Sequence, residues 1–253
     1  MRYLWKPFQL LYALYAMLLF IALMIPVFIW ALLVVPFGPV RGGNLLYKAC
    51  SLWGDIWFFL VFIRHRNIDA ADYDHSRAFI YVSTHTSYFD IPVIVKTVRR
   101  PVRALGKAEI ARVPIFGYIY RNAIVTVDRS SPEHRARSVR LMKSYIQQGI
   151  SVLVFPEGTF NETGEPLKDF YDGAFRIAIE TGTPIQPLLM LDTWSRMHPR
   201  SIFSLRPGKS RTIFLEPVAV EGYTLESLPA LKAAVRDRME RALREWKAPW
   251  IKA

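Results

Sequence analysis

The chain contains one cysteine, Cys50, so it has no internal disulfide framework. Cys50 lies in an apolar stretch with no histidine nearby in sequence, as suits a small core or lipid-facing residue rather than a nucleophile. There are five histidines, and no His/Cys cluster has the spacing of a metal site. The Gly-x-Ser-x-Gly turn that exposes a hydrolase serine is absent. Acids are scarce, with 21 Asp and Glu against 33 Lys and Arg and a formal net charge of +12. Internal repeats and low-complexity segments are missing. Charge of either sign is missing between Phe8 and Phe37.

That uncharged run would extend about 45 Å as a helix, against a bilayer hydrocarbon core of about 30 Å. Pro26 would kink or divide it. It is too long for a cleaved leader, and no small-residue cleavage site followed by polar sequence comes after it. Tyr3, Trp5, Tyr12, Tyr15 and Trp30 are aromatic candidates for the membrane interface. A second apolar segment, Leu45–Ile63, is interrupted by Lys48 and Asp55, which share a helix face at a spacing of seven. It either spans the membrane with that pair buried, or lies in the interface or docks on the rest of the chain, the reading favoured. Arg64, His65 and Arg66 follow it, which places the remainder on the cytoplasmic face under the positive-inside rule. The chain therefore divides into a hydrophobic helical membrane anchor, residues 1–66, and a domain of residues 67–253. The domain is basic in its own right, which suits anionic lipid, nucleic acid or an acidic protein. The adjoining apolar segment favours membrane lipid and argues against nucleic acid.

After residue 70 short β-branched runs alternate with helical patterns. Strands are expected at Ala78–Ser83, Val102–Gly106, Ala123–Val127, Ser151–Phe155, Ile185–Leu191 and Arg211–Val218. Helices are expected at Asp90–Val98, Pro132–Gln148, Phe170–Thr181 and Thr224–Trp246. The fold class is α/β, with a mixed or largely parallel sheet flanked by helices. The charges of the last helix, Lys232, Arg236, Arg238, Arg241 and Arg244, read as a solvated outer face.

The first chemically informative segment is Thr84-His85-Thr86-Ser87-Tyr88-Phe89-Asp90, at the junction of an expected strand and helix. Within one continuous helix His85 and Asp90 would lie about 140° apart. They meet if His85 stays in the loop and Asp90 opens the helix. A histidine can then take a proton from a hydroxyl while the carboxylate fixes its tautomer, a contribution of about 10² to 10⁴ in rate. Ser87 reads as a helix-capping residue. His65, His75, His134 and His198 lack a partner pattern and read as surface residues.

Three further segments follow: Lys107-Ala108-Glu109-Ile110 running on to Arg129, then Phe155-Pro156-Glu157-Gly158-Thr159, then Thr183-Pro184-Ile185-Gln186-Pro187. In this order they resemble the PlsC-like glycerolipid acyltransferase family, the 1-acylglycerol-3-phosphate acyltransferases, over about residues 80–190. The resemblance implies transfer of an acyl group from acyl-ACP or acyl-CoA to a lysophospholipid hydroxyl, forming phosphatidic acid, without cofactor, metal or acyl-enzyme. It makes His85 the general base and Asp90 its orienter. It gives Lys107 and Arg129 to the acceptor's phosphate, Glu157, Gly158 and Thr159 to the acceptor site, and Pro184 to the donor side. Lys and Arg suit a phosphate, and glycine admits close backbone approach.

Three positions depart from the family pattern. Thr84 stands where asparagine is usual, Asn122 where glycine is common, and Phe160 where an arginine closes the third motif. A charge-assisted contact of that kind is worth roughly 1.5–3 kcal/mol. Lys168, Arg176 or Arg121 would have to replace it, or the acceptor lacks a phosphate monoester, as a lyso-aminolipid does.

Overall fold

The computed structural model describes residues 5–74, 76–128 and 131–252. Helix α1, Trp5–Val34, holds most of the uncharged run, and Pro26 sits inside it without dividing it. The segment Pro7–Phe37 is long and apolar enough to cross a membrane by length and composition. Its outer positions, among them Leu11, Leu18, Ile21, Ile29 and Leu33, are exposed. Its inner positions include Ala13, Ala16 and Ala31, whose small side chains let helix α2, Arg41–Leu60, approach closely. Trp53 and Trp57 of α2 stack at 5.5 Å, and Phe20 meets both rings edge-on at 4.8 and 5.5 Å. The Trp57 indole N–H donates to the Ala16 carbonyl at 2.9 Å, so neither buried polar group is wasted.

The seven strands are β1 (Ile63–Asp69), β2 (Ile80–Ser83), β3 (Val102–Lys107), β4 (Val125–Val127), β5 (Ser151–Val154), β6 (Ile185–Met190) and β7 (Gly208–Phe214). They lie in the order β1-β7-β6-β2-β5-β3-β4, and all neighbours are parallel except β6 and β7. The sheet is thus mixed and mostly parallel, as expected. Its central strands β2, β5 and β6 are buried along their whole length, which explains their unbroken apolar character. Helices α3 (Asp90–Thr97) and α4 (Phe116–Ala123) lie on the α2 side of the sheet. Helices α5 (Pro132–Gln147), α6 (Gly173–Thr181) and α8 (Leu228–Glu245) pack among themselves and against the strands, and α7 (Thr193–Arg196) is a single turn. From β2 the chain crosses to β3 and β4, returns to β5, and then passes to the other side of β2 at β6. The strand order reverses between β2 and β5, where an open α/β sheet leaves a crevice at its carboxyl ends.

Several expectations are corrected. Strand β1 lies outside the expected strands, because its sequence, IRHRNID, is too polar to read as a buried strand. It is an edge strand paired only with β7, and it runs across the 66/67 division that composition draws. β7 begins three residues before its expected start, since its polar first half pairs with β1. Lys48 is exposed and Asp55 does not pair with it; Asp55 accepts from Lys96 of α3 and, at 2.7 and 3.0 Å, from Arg99. α2 is therefore docked through α3 rather than carrying a pair within itself. His65 is not a surface residue: its ring sits among Ser210, Asn67 and Thr97, at 3.0, 2.8 and 3.1 Å, and burial pushes it down to about 4. The α8 charges are largely paired, Lys232 with Asp172, Arg238 with Glu216, and Arg236 and Arg244 with Glu240, in keeping with a solvated face.

Candidate active site

Strand β2 ends at Ser83, and the chain turns through Thr84–Phe89 into α3. This turn is held by its own polar groups. The Thr84 hydroxyl accepts from the Met190 N–H of β6 at 3.0 Å, the hydrogen bond available to a threonine at this position. Ser87 is fully buried; its hydroxyl donates to the Met197 carbonyl and accepts from the Phe89 N–H, a structural role at the helix start. Asp90 is fully buried in the first turn of α3. Its Oδ2 accepts from the backbone N–H of Thr86 and Ser87 at 2.8 and 3.0 Å, and from His85 Nδ1 at 2.9 Å. With Nδ1–H so engaged, His85 Nε2 carries the lone pair that a general base needs.

The loop after β5 is tied to the same turn. The Glu157 carboxylate is buried; Oε1 accepts from the His85 N–H at 3.3 Å and Oε2 from the Lys168 N–H at 2.9 Å. Burial pushes its carboxyl up from 4.5 to about 7, against the lowering effect of those two backbone donors. The Asn161 N–H donates to the His85 carbonyl at 2.7 Å. Both backbone groups of His85 are thus fixed by the 157–161 segment. Gly158 turns this segment at φ +75°, in the left-handed region that glycine tolerates. The buried Asn161 organises the following loop, donating to Glu165 and Pro166 carbonyls and accepting from Thr163.

Two aromatic rings flank the imidazole, and a third braces one of them. Phe155 stacks on it at 3.9 Å and 16°, Phe160 meets it edge-on at 4.5 Å, and Tyr88 braces Phe160 at 4.7 Å. His85 stands at the head of a largely apolar cavity of about 360 Å³. The cavity is lined by Ile91, Ile94, Val95 and Ala104 and by Tyr47 and Cys50 of α2. Lys107, at the end of β3, lies on its wall and is exposed; Gly158 and Thr159 line it as well.

Of the residues singled out in the sequence, His85, Asp90, Lys107, Glu157, Gly158 and Thr159 therefore converge here. Glu157 holds the backbone rather than facing the cavity. Arg129 lies outside the described residues. Pro184 lies at the start of β6, its carbonyl bonded to the Ile80 N–H, at the opposite end of the strands. Sequence reasoning did not identify the aromatic packing of Phe155, Phe160 and Tyr88 around His85, which depends on loop conformation rather than on any periodic pattern.

The chain is similar to known acyltransferases in sequence and in fold. The family model described as Acyltransferase matches residues 63–191, just over half of the chain. The 1-acyl-sn-glycerol-3-phosphate acyltransferase of Haemophilus influenzae is 30% identical over 173 residues, covering 67% of this chain and 70% of that protein. The protein of that name from Cocos nucifera is 26% identical over 216 residues, covering 83% and 68%. Among solved structures, the 1-acyl-sn-glycerophosphate acyltransferase PlsC of Thermotoga maritima superposes with a TM-score of 0.74 at 25% identity, with both chains covered completely. The matched span holds the His85–Asp90 pair, Lys107 and the loop after β5, and this chain belongs to the acyltransferase family.

Proposed function

We propose that this protein transfers a fatty acyl group from a thioester, acyl-ACP or acyl-CoA, to the free hydroxyl of 1-acyl-sn-glycerol-3-phosphate, forming phosphatidic acid. The observation that carries the reading is the His85–Asp90 pair at the head of an apolar cavity. His85 Nε2 takes the proton of the acceptor hydroxyl as its oxygen attacks the thioester carbonyl. The C–S bond then breaks and the proton passes to the departing thiolate. Asp90 stabilises the imidazolium between these steps. Transfer is direct: Ser87 Oγ is engaged by Met197, and burial pushes the Cys50 thiol up to about 12, which keeps it from acting as a thiolate. The cavity suits the acyl chain, since among the described residues its walls supply no charge beyond Lys107 and the His85 ring.

Lys107 and Arg129 are assigned to the acceptor's phosphate, and Gly158 and Thr159 to the wall that it approaches. Glu157 acts by positioning His85. The relatives named above support lysophosphatidate as acceptor. The exposed faces of α1 and α2, with Leu52, Ile56 and Phe59 on α2, form the membrane-bound element, and the catalytic domain lies on the cytoplasmic side. A second reading, acyl transfer to a lyso-aminolipid or another lysophospholipid, is favoured by Phe160, which places an apolar ring where a phosphate-binding cation would be useful.

The test is acyl transfer by the detergent-purified protein from labelled acyl-ACP and acyl-CoA, offering lysophosphatidate and a lyso-aminolipid side by side, with His85→Ala as blank. Preferred acylation of lysophosphatidate is expected. Preference for the aminolipid would transfer the assignment to the second reading, and an active His85→Ala protein would overturn both.

A further inference from the structure

A base that deprotonates a lipid hydroxyl can deprotonate water equally well, and water is present at far higher concentration than any lysolipid. Under the acyl-transfer reading, on which this inference rests, the same His85 gives two outcomes. With the lipid hydroxyl, an ester C–O bond forms, the thioester C–S bond breaks and a thiol leaves. With water, the same bonds exchange and the products are a fatty acid and the thiol. A productive transferase must therefore keep bulk water from the imidazole while the acyl chain is bound.

Three observations converge on Phe160. Its ring lies edge-on to His85 at 4.5 Å, while Phe155 covers a face of the imidazole at 3.9 Å. Tyr88, itself 49% exposed, closes the outside by packing on Phe160 at 4.7 Å. The adjacent Asn161 N–H is bonded to the His85 carbonyl at 2.7 Å, so residue 160 keeps its place relative to the base. Phe160 supplies neither charge nor proton. Its side chain can only fill space and exclude solvent.

We propose that Phe160, braced by Tyr88, is the water seal of the catalytic histidine and sets the partition of the acyl group between lysolipid and water. It is a specificity-determining, positioning residue and takes no part in proton transfer.

The test compares wild type, Phe160→Ala, Phe160→Leu and Tyr88→Ala, using acyl-ACP with lysophosphatidate in mixed micelles. Total thiol release and ester formation are measured in the same reaction. Their ratio is independent of the fraction of protein that is active, so partial misfolding does not disguise the result. Phe160→Ala is expected to raise the share of hydrolysis by about tenfold or more, with Phe160→Leu and Tyr88→Ala in between, as the site opens to solvent. His85→Ala in the Phe160→Ala background should remove both products. An unchanged ratio in Phe160→Ala, at whatever total rate, would overturn the proposal. Failure of the wild-type protein to form any ester is a separate outcome, and it would overturn the acyl-transfer reading itself.

Discussion

Replacing Asp90 by asparagine separates its charge from its shape. Asp90 Oδ2 collects three donors, His85 Nδ1 and the N–H groups of Thr86 and Ser87. Its other oxygen, Oδ1, is buried with no hydrogen-bond partner among the described residues. An asparagine can therefore point its carbonyl oxygen at the three donors and its amide into the space around Oδ1. The turn should survive, because the backbone donors keep their acceptor. What is lost is the negative charge behind the imidazole. Charge-assisted hydrogen bonds are roughly twice as strong as neutral ones, and the difference is greatest when the imidazolium forms. The whole base-catalysed contribution is about 10² to 10⁴. Asp90→Asn is expected to lower kcat for acyl transfer by about 10²-fold or more, with a loss of about 1–3 kcal/mol in stability because its buried amide meets no acceptor. Asp90→Ala should differ in kind: two buried backbone N–H groups lose their acceptor, at about 1–3 kcal/mol each, so the fold itself should weaken. Acyl transfer from a labelled thioester, beside thermal denaturation, reads both. Should Asp90→Asn stay within a few-fold of wild type, the carboxylate would be a turn-forming residue only, and the assignment of Asp90 to the catalytic pair would be wrong.

Three further outcomes follow from the packing. Ala104 lines the same cavity as His85 and Cys50, so Ala104→Phe should shift donor preference toward shorter acyl chains; competition among thioesters of graded length would show it, and an unaltered profile would mean the chain lies elsewhere. Arg103 is buried in β3 and donates to the Pro39 and Val40 carbonyls and to Asn44 Oδ1, so Arg103→Met should cost about 2–5 kcal/mol and open the α1–α2 turn to protease, given about 1–3 kcal/mol per orphaned acceptor. Glu157 is held at about 7, so between pH 4.5 and 7 the folded protein keeps a proton that the unfolded chain releases. Stability present below pH 4.5 is therefore lost as pH rises to about 7, by at most roughly 3.5 kcal/mol at about 1.4 kcal/mol per unit. Denaturation of Glu157→Gln should lack that slope, and an identical slope in both proteins would refute the assignment.

The parts legible in the sequence share one property: their side chains are dictated by neighbours close in the chain or by burial on both faces. β2, β5 and β6 read as strands because every position is buried, and His85 was paired with Asp90 because a strand-to-helix turn is a local structure. Where a partner comes from elsewhere, local rules choose wrongly. Helix spacing offers Lys48 to Asp55, yet Asp55 turns outward to Lys96 and Arg99, forty residues on, because α2 lies on α3. β1 looks like a basic flank because its exposed Arg64 and Arg66 alternate with inward positions, and only its pairing with β7 makes it a strand. A buried arginine in β3 would be a defect by pattern alone, but it is the tie between the sheet and the α1–α2 turn.

The same distinction bears on Phe160. Read as a motif position, it is a lost cation. Read in space, its ring lies edge-on against His85 at 4.5 Å, where the seal proposed above would act. A single arginine restored at this place would test both at once. Phe160→Arg would add a charge for the lysolipid phosphate while breaking the aromatic cover of the base. The KM for lysophosphatidate should fall if head-group attraction is limiting, while the share of hydrolysis rises because a guanidinium carries water with it. A fall in KM without increased hydrolysis would mean that the arginine reaches the phosphate without disturbing the seal, and the cover over His85 would then have to be credited to Phe155 and Tyr88 alone.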